Sequence, residues 1–146
     1  LKMSFEVKPL NSHEETEAVR LLRTRVFVDE QGVSPKLEKD EFDDVAIHAV
    51  AYKDEVVVGT GRLILDTPTE ARIGRMAIEA SFRRNGLGSA VLAFLENKAR
   101  VRGIIRIVLH AQYYVKDFYF NHGYRQRGDS FTEAGVLHIE MTKDIG

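Results

Sequence analysis

The 146-residue chain contains no cysteine. That single absence removes disulfides, thiolate zinc sites, iron–sulfur clusters and a cysteine nucleophile. A charge surplus of either sign is also missing: 21 Lys+Arg stand against 22 Asp+Glu, a formal net charge of −1. Nucleic-acid binders draw much of their affinity from phosphate neutralisation, so this balance argues against a nucleic-acid partner. The apolar runs are only a few residues long, far below the ~20 that span a bilayer. There is no basic start followed by an apolar segment and a cleavage site, so a cytoplasmic location with no membrane partner is expected. Leu1 heads the chain, and Met3 is a candidate for the natural start.

What is present fits a globular protein: 44% hydrophobic and 29% charged residues, close to the average for folded domains. The length corresponds to one domain, residues 1–146, large enough to bury a core without staples. Alternating polarity predicts a strand over 3–8, ended by Pro9. Ser12 and Glu15 form a capping-box pattern that opens a helix over 13–28. From 29 to 44 periodicity is lost and seven acids dominate, which predicts a loop with a short helical turn. Strands follow at 45–52 and 56–65, joined as a hairpin through Lys53-Asp54-Glu55, and a third covers 71–78 after the Asp66-Thr67-Pro68-Thr69 turn. A helix over 86–102 closes at Gly103. A strand at 104–109, an aromatic helix at 113–121 and strands at 124–127 and 135–142 complete the pattern. The order β-α-β-β-β-α-β-α-β-β predicts an α+β fold: a mixed sheet with helices on both faces.

Chemistry concentrates in Arg75-Met76-Ala77-Ile78 and the following Arg83-Arg84-Asn85-Gly86-Leu87-Gly88-Ser89. This run joins a strand to a long helix through two arginines and two glycines. Glycine lets backbone approach a ligand closely, and N–H groups at a helix start carry partial positive charge. Together they make an anion site suited to a diphosphate. The spacing is neither that of a dinucleotide fingerprint nor that of a P-loop. On spacing alone, a strand–turn–helix with no ligand fits equally well.

Arg83-x-x-Gly86-x-Gly88 resembles the coenzyme A signature of the GCN5-related N-acetyltransferase (GNAT) superfamily. Phe118-Tyr119 with Gly123-Tyr124 resembles that superfamily's later Phe-Tyr … Gly-Phe/Tyr element. The stretches Val26–Val33 and Phe131–His138 look like the small bacterial ElaA/YjcF-type branch. The resemblance implies a largely antiparallel GNAT sheet and acetyl transfer from acetyl-CoA, used as co-substrate without a metal. Backbone groups of Met76 and Ile78 would pair with the pantetheine arm, and the Ala77 region would polarise the thioester carbonyl. N–H groups from Arg84 through Asn85, Gly86, Leu87 and Gly88 to Ser89 would hold the pyrophosphate, helped by the Arg83 and Arg84 side chains. Gln112 and Phe118 complete the implied coenzyme site. Tyr119 falls on the position that protonates the departing thiolate in many members.

A tyrosine with an ordinary pKa of about 10 is protonated at neutral pH and can serve that role. The amine must lose a proton, which calls for a carboxylate or histidine. Glu30, Asp43, His48, Glu133 and His138 are the candidates, with Glu133 and His138 favoured. The five histidines show no helical metal spacing. The acidic loop is either a solvated run or an attractor for a cationic small-molecule amine, with Arg25 and Arg62 available to pair with its acids. An acyl-homoserine lactone synthase-like enzyme, with Arg25, Phe27, Glu41, Asp44 and Arg62 in its pattern, stays open. So do a non-catalytic acyl-CoA-binding module, a protein N-acetyltransferase, and assembly as a homodimer.

Overall fold

The computed structural model describes residues 5–146, so Met3 and Ser4 of the expected first strand lie outside the described residues. Strand β1 (Phe5–Pro9) leads into helix α1 (His13–Arg23). Ser12 caps α1 by accepting the Glu15 N–H at 3.1 Å. The reciprocal half of the capping box is displaced by one residue: Glu15 accepts from the Asn11 N–H at 2.9 Å, not from Ser12. Its other carboxylate oxygen accepts from the Tyr52 hydroxyl, which anchors α1 to the sheet. The helix expected over 13–28 runs on to Glu30, and Thr24–Glu30 winds as a wider π-helix.

Between this helix and the next strand the acidic segment is more ordered than its sequence suggests. Ser34 and Pro35 start the short helix α2 (Pro35–Glu38), a position where the missing proline N–H costs nothing. Asp40 caps a 3₁₀ turn over Glu41–Asp44. Then come β2 (Ile47–Lys53), β3 (Val56–Leu65) and β4 (Glu70–Ile78). Helix α3 (Leu87–Val101) leads to β5 (Arg106–Gln112), and helix α4 (Lys116–Asn121) to β6 (Arg125–Gln126), β7 (Phe131–Glu133) and β8 (Val136–Asp144).

The strands form one sheet in the order β1-β2-β3-β4-β5-β8-β6, with β7 also on β8. Every pairing is antiparallel except β4 with β5. The expected α+β class and the largely antiparallel sheet are therefore observed, with one strand more than the sequence pattern contains. That strand, β7, pairs back on β8 because Ala134 and Gly135 both take positive φ, 51° and 79°, the geometry of a two-residue hairpin turn. Three residues are too few to display an alternation.

The two sheet faces carry separate apolar clusters. On one, Leu87, Val91 and Leu95 of α3 pack against Ala49, Ala51, Leu63, Ile73 and Tyr124. Each such leucine contributes about 1.5–3 kcal/mol when withdrawn from water. Gly61 sets how closely α3 approaches: a Cβ there would lie 2.7 Å from Met76 Sδ and 2.9 Å from Leu95 Cδ1. On the other face, Leu22 and Val26 pack on Ala77. Among the described residues, no helix is long and apolar enough to cross a membrane.

Candidate active site

Strands β4 and β5 pair in parallel only over Glu70–Arg72 and Arg106–Val108. Beyond that they part, and a cleft of about 1330 Å³ opens between Ile73–Ile78 on one side and Leu109–Gln112 on the other. The cause lies in β4. Its register with β3 slips by one residue between Thr60 and Arg62, and Arg75 sits at φ 50°. The extra residue is a β-bulge, which bends its strand and increases its twist. A smaller hollow of about 470 Å³ at the other end of the sheet, lined by Thr69, Glu70 and Asp144 among others, holds none of the expected site residues.

Beyond the bulge, the β4 backbone has one edge with no strand partner. The Glu79 N–H bonds to Val58 O on β3 at 2.8 Å. By two-residue alternation Ala77 also directs its backbone toward β3, whereas Met76 and Ile78 turn theirs toward the gap. The Ala77 side chain faces α1 and is fully buried, so Met76 and Ile78 line the cleft and Ala77 does not. Gly86 then takes φ 80°, with Arg84 at 66°, to start α3. Among the described residues no side chain caps α3, and its first intrahelical bond runs from the Ala90 N–H to Gly86 O. The N–H groups of Leu87, Gly88 and Ser89 therefore remain available to an anion.

Arg83, Arg84, Gly86, Gly88 and Ser89 border the cleft; Leu87 turns its side chain into the core, and Asn85 is exposed beside the turn. Arg83 donates to Ile78 O at 2.9 Å and to Glu30 at 2.8 Å. A residue the sequence pattern did not single out, His122, bridges Phe118 O at 2.7 Å and Ser89 Oγ at 2.8 Å, tying α4 to the start of α3. Gln112 donates to Gln31 at 2.6 Å across the cleft. Tyr119 lines the cleft and is nine-tenths buried. Burial alone raises its hydroxyl above the usual tyrosine range, and no side chain among the described residues bonds to it.

The candidate bases separate clearly. Glu30 is held by Arg83, Asp43 lies in a buried ion-pair network, and His48 Nε2 lies 2.8 Å from Asp43 O. Glu133 and His138 both line the cleft. The His138 Nδ1–H donates to Val136 O at 2.7 Å, which leaves the lone pair on Nε2, 3.8 Å from Glu133. His110 reaches the other Glu133 oxygen at 3.1 Å.

The acidic loop does not present free charge at its centre. Arg23 pairs with Glu38 and Asp43, and Arg62 with Asp40 and Asp43. Burial works to raise Asp43, but Arg23 and then Arg62 hold it down at about 2. Arg25 pairs with Glu79 and not with the loop. The network unites Arg23, Glu38, Asp40, Asp43 and Arg62, with Arg23, Glu38 and Arg62 buried; of the synthase-like pattern it includes Arg62, and Arg25, Glu41 and Asp44 take no part in these pairs. Among the described residues, no group of three or more His, Asp or Glu could hold a metal.

A parted strand pair, an unpaired strand edge and an uncapped helix start frame the cleft, and the family model "Acetyltransferase (GNAT) domain" matches residues 10–145. The chain belongs to that family. Within it, the chain is 35% identical to the uncharacterized N-acetyltransferase YjcF of Bacillus subtilis, over 84% of this chain and 88% of YjcF. The crystal structure of Escherichia coli ElaA superimposes with a TM-score of 0.84 at 25% identity, covering 97% of this chain and 100% of that one. These place it in the ElaA/YjcF-like branch. A GNAT acetyltransferase of Elizabethkingia anophelis, solved with acetyl-CoA bound, shares the fold at 16% identity and a TM-score of 0.77, covering 97% and 98% of the two chains.

Proposed function

We propose that the chain is an acyl-CoA-dependent N-acetyltransferase acting on the primary amine of a small molecule, by direct transfer in a ternary complex. The observation that carries this reading is the cleft, where a free β4 edge, the uncapped start of α3 and the Tyr119 hydroxyl meet. Its size suits an extended thiol ester entering from the α3 turn. Met76 and Ile78 offer backbone groups to the pantetheine arm as a neighbouring strand would. The α3 N–H groups, Arg83, Arg84 and the Ser89 region take the pyrophosphate. Phe118 packs against Gly88 at the α3 turn, and Gln112 lines the cleft from β5.

Chemistry then needs two proton movements. The acceptor, bound as the free amine, attacks the thioester carbon and its N–H proton passes to His138 Nε2, with Glu133 stabilising the imidazolium that forms. The C–S bond breaks, Tyr119 O–H donates its proton to the departing sulfur, and the proton held by His138 returns to the Tyr119 oxygen through solvent. Buried and protonated at neutral pH, Tyr119 has a proton to give at the cleft. No covalent enzyme intermediate is required.

Initial-rate kinetics test this. Varying acetyl-CoA and an accepted amine together yields intersecting reciprocal plots, and no coenzyme A is released without amine. Parallel plots, or a burst of thiol in the absence of amine, would show a covalent acetyl-enzyme and overturn direct transfer.

A further inference from the structure

Two carboxylates in the acceptor half of the cleft have their acceptor positions filled by the guanidinium and backbone groups around them. Asp40 already accepts four N–H groups, from Phe42, from both Arg62 Nη atoms and from Arg75 Nη2. Asp43 also accepts four, two from Arg23, one from Arg62 and one from the Asp40 backbone. A carboxylate offers about four acceptor positions, so both are saturated. Arg75 nevertheless spends only Nε and Nη2, on Glu38 O, Leu37 O and Asp40. Arg72 spends only Nε and Nη2, on Asp66. The Nη1 groups of both have no partner among the described residues, and both side chains line the cleft. Arg62, 4% exposed, has a buried Nε with no acceptor. Burial, and next the nearby Arg62 charge, lower the Arg75 pKa.

Other groups in the same half define the rest of a ligand. His110, Glu133 and His138 line it, and Leu37, Phe42 and Ile64 give it an apolar wall. The Arg72 guanidinium is fixed 4.9 Å over the Phe42 ring. We propose that the acceptor is an amino acid: its carboxylate binds the free Nη1 groups of Arg72 and Arg75, its side chain lies along Leu37, Phe42 and Ile64, and its amine meets His138. Guanidinium N–H groups serve carboxylate and phosphate alike, and the arms of the test separate the two. The inference rests on the reading of the cleft as a transferase site.

The test is acetyl-CoA-dependent thiol release with the common L-amino acids. Each is compared with its α-carboxamide and its decarboxylated amine, and aminoalkyl phosphates form a further arm. At least one amino acid should exceed its two carboxylate-free partners by roughly tenfold or more in kcat/KM. Arg72→Gln and Arg75→Lys should each raise the amino-acid KM about tenfold, leave the acetyl-CoA KM unchanged and erase the preference. The Arg72 variant keeps the test valid should the Arg75 variant fold poorly. Equal or better use of the carboxamide, the decarboxylated amine or the phosphate overturns the inference alone. So does an absence of amino-acid acetylation by protein that binds acetyl-CoA. Failure to bind acetyl-CoA instead removes the transferase reading, and the inference with it.

Discussion

The two halves of the cleft are built in opposite ways. The donor half is made of backbone: a strand edge freed by a bulge and a helix start left uncapped, with Gly86 and Gly88 keeping it open. The acceptor half is made of side chains, with Arg23, Arg62 and Arg75 interlocked with Glu38, Asp40 and Asp43. Backbone chemistry suits a donor whose pyrophosphate and pantetheine never change. Side-chain chemistry suits an acceptor that sets specificity, because substitution there alters recognition without moving the frame.

The largest effect separating the halves is expected at Arg62. Arg62→Ala leaves Asp40 and Asp43 underpaired in a buried setting and should cost about 3–5 kcal/mol, read by urea denaturation. A loss below about 1 kcal/mol would mean that the network does not hold the acidic segment in place. Next, Tyr119→Phe should lower kcat roughly 10²–10⁴-fold with little change in either KM, a split that a packing role would not give. Full turnover in that variant removes Tyr119 from the chemistry.

The network also predicts an acid slope. The folded Asp43 carboxyl lies at about 2 against an ordinary 3.8. Its stabilisation is therefore complete above roughly pH 4 and lost as pH falls toward about 2. Asp43→Asn should flatten the stability profile in that window and lower stability at neutral pH. The smallest effect is expected at Gly88→Ala. A Cβ there would lie 3.4 Å from Phe118 Cζ, so stability should shift by under about 1 kcal/mol, while coenzyme A binding weakens because the new methyl narrows the cradle.

The strand, turn and helix start of the half proposed for the donor were legible in the sequence because their requirements are local. Arg83, Gly86 and Gly88 lie within six residues, and Phe118-Tyr119 marks the other wall. The ElaA/YjcF resemblance, carried by Val26–Val33 and Phe131–His138, agrees with the relatives found. The acceptor half was not legible, because its pairs span long separations: Arg23 with Glu38, Arg62 with Asp40, Arg75 with Leu37. Nothing in a run of seven acids says which side chains turn inward, and Arg23 and Arg25 differ only in helical phase. The π-helix at Thr24–Glu30 has no compositional signal at all, and β7 depends on an Ala-Gly turn that lacks the usual asparagine or aspartate.

The central claim is that the backbone-built half is a coenzyme A site. Thermal stability with acetyl-CoA, coenzyme A and NAD at matched concentrations tests it most directly. At about 100 times its dissociation constant a ligand should stabilise the fold by roughly 2.7 kcal/mol, a rise of a few degrees. The account predicts that rise with both coenzyme A ligands, none with NAD, and its loss in Arg83→Ala/Arg84→Ala. No rise with coenzyme A, or an equal rise in the double variant, would contradict it.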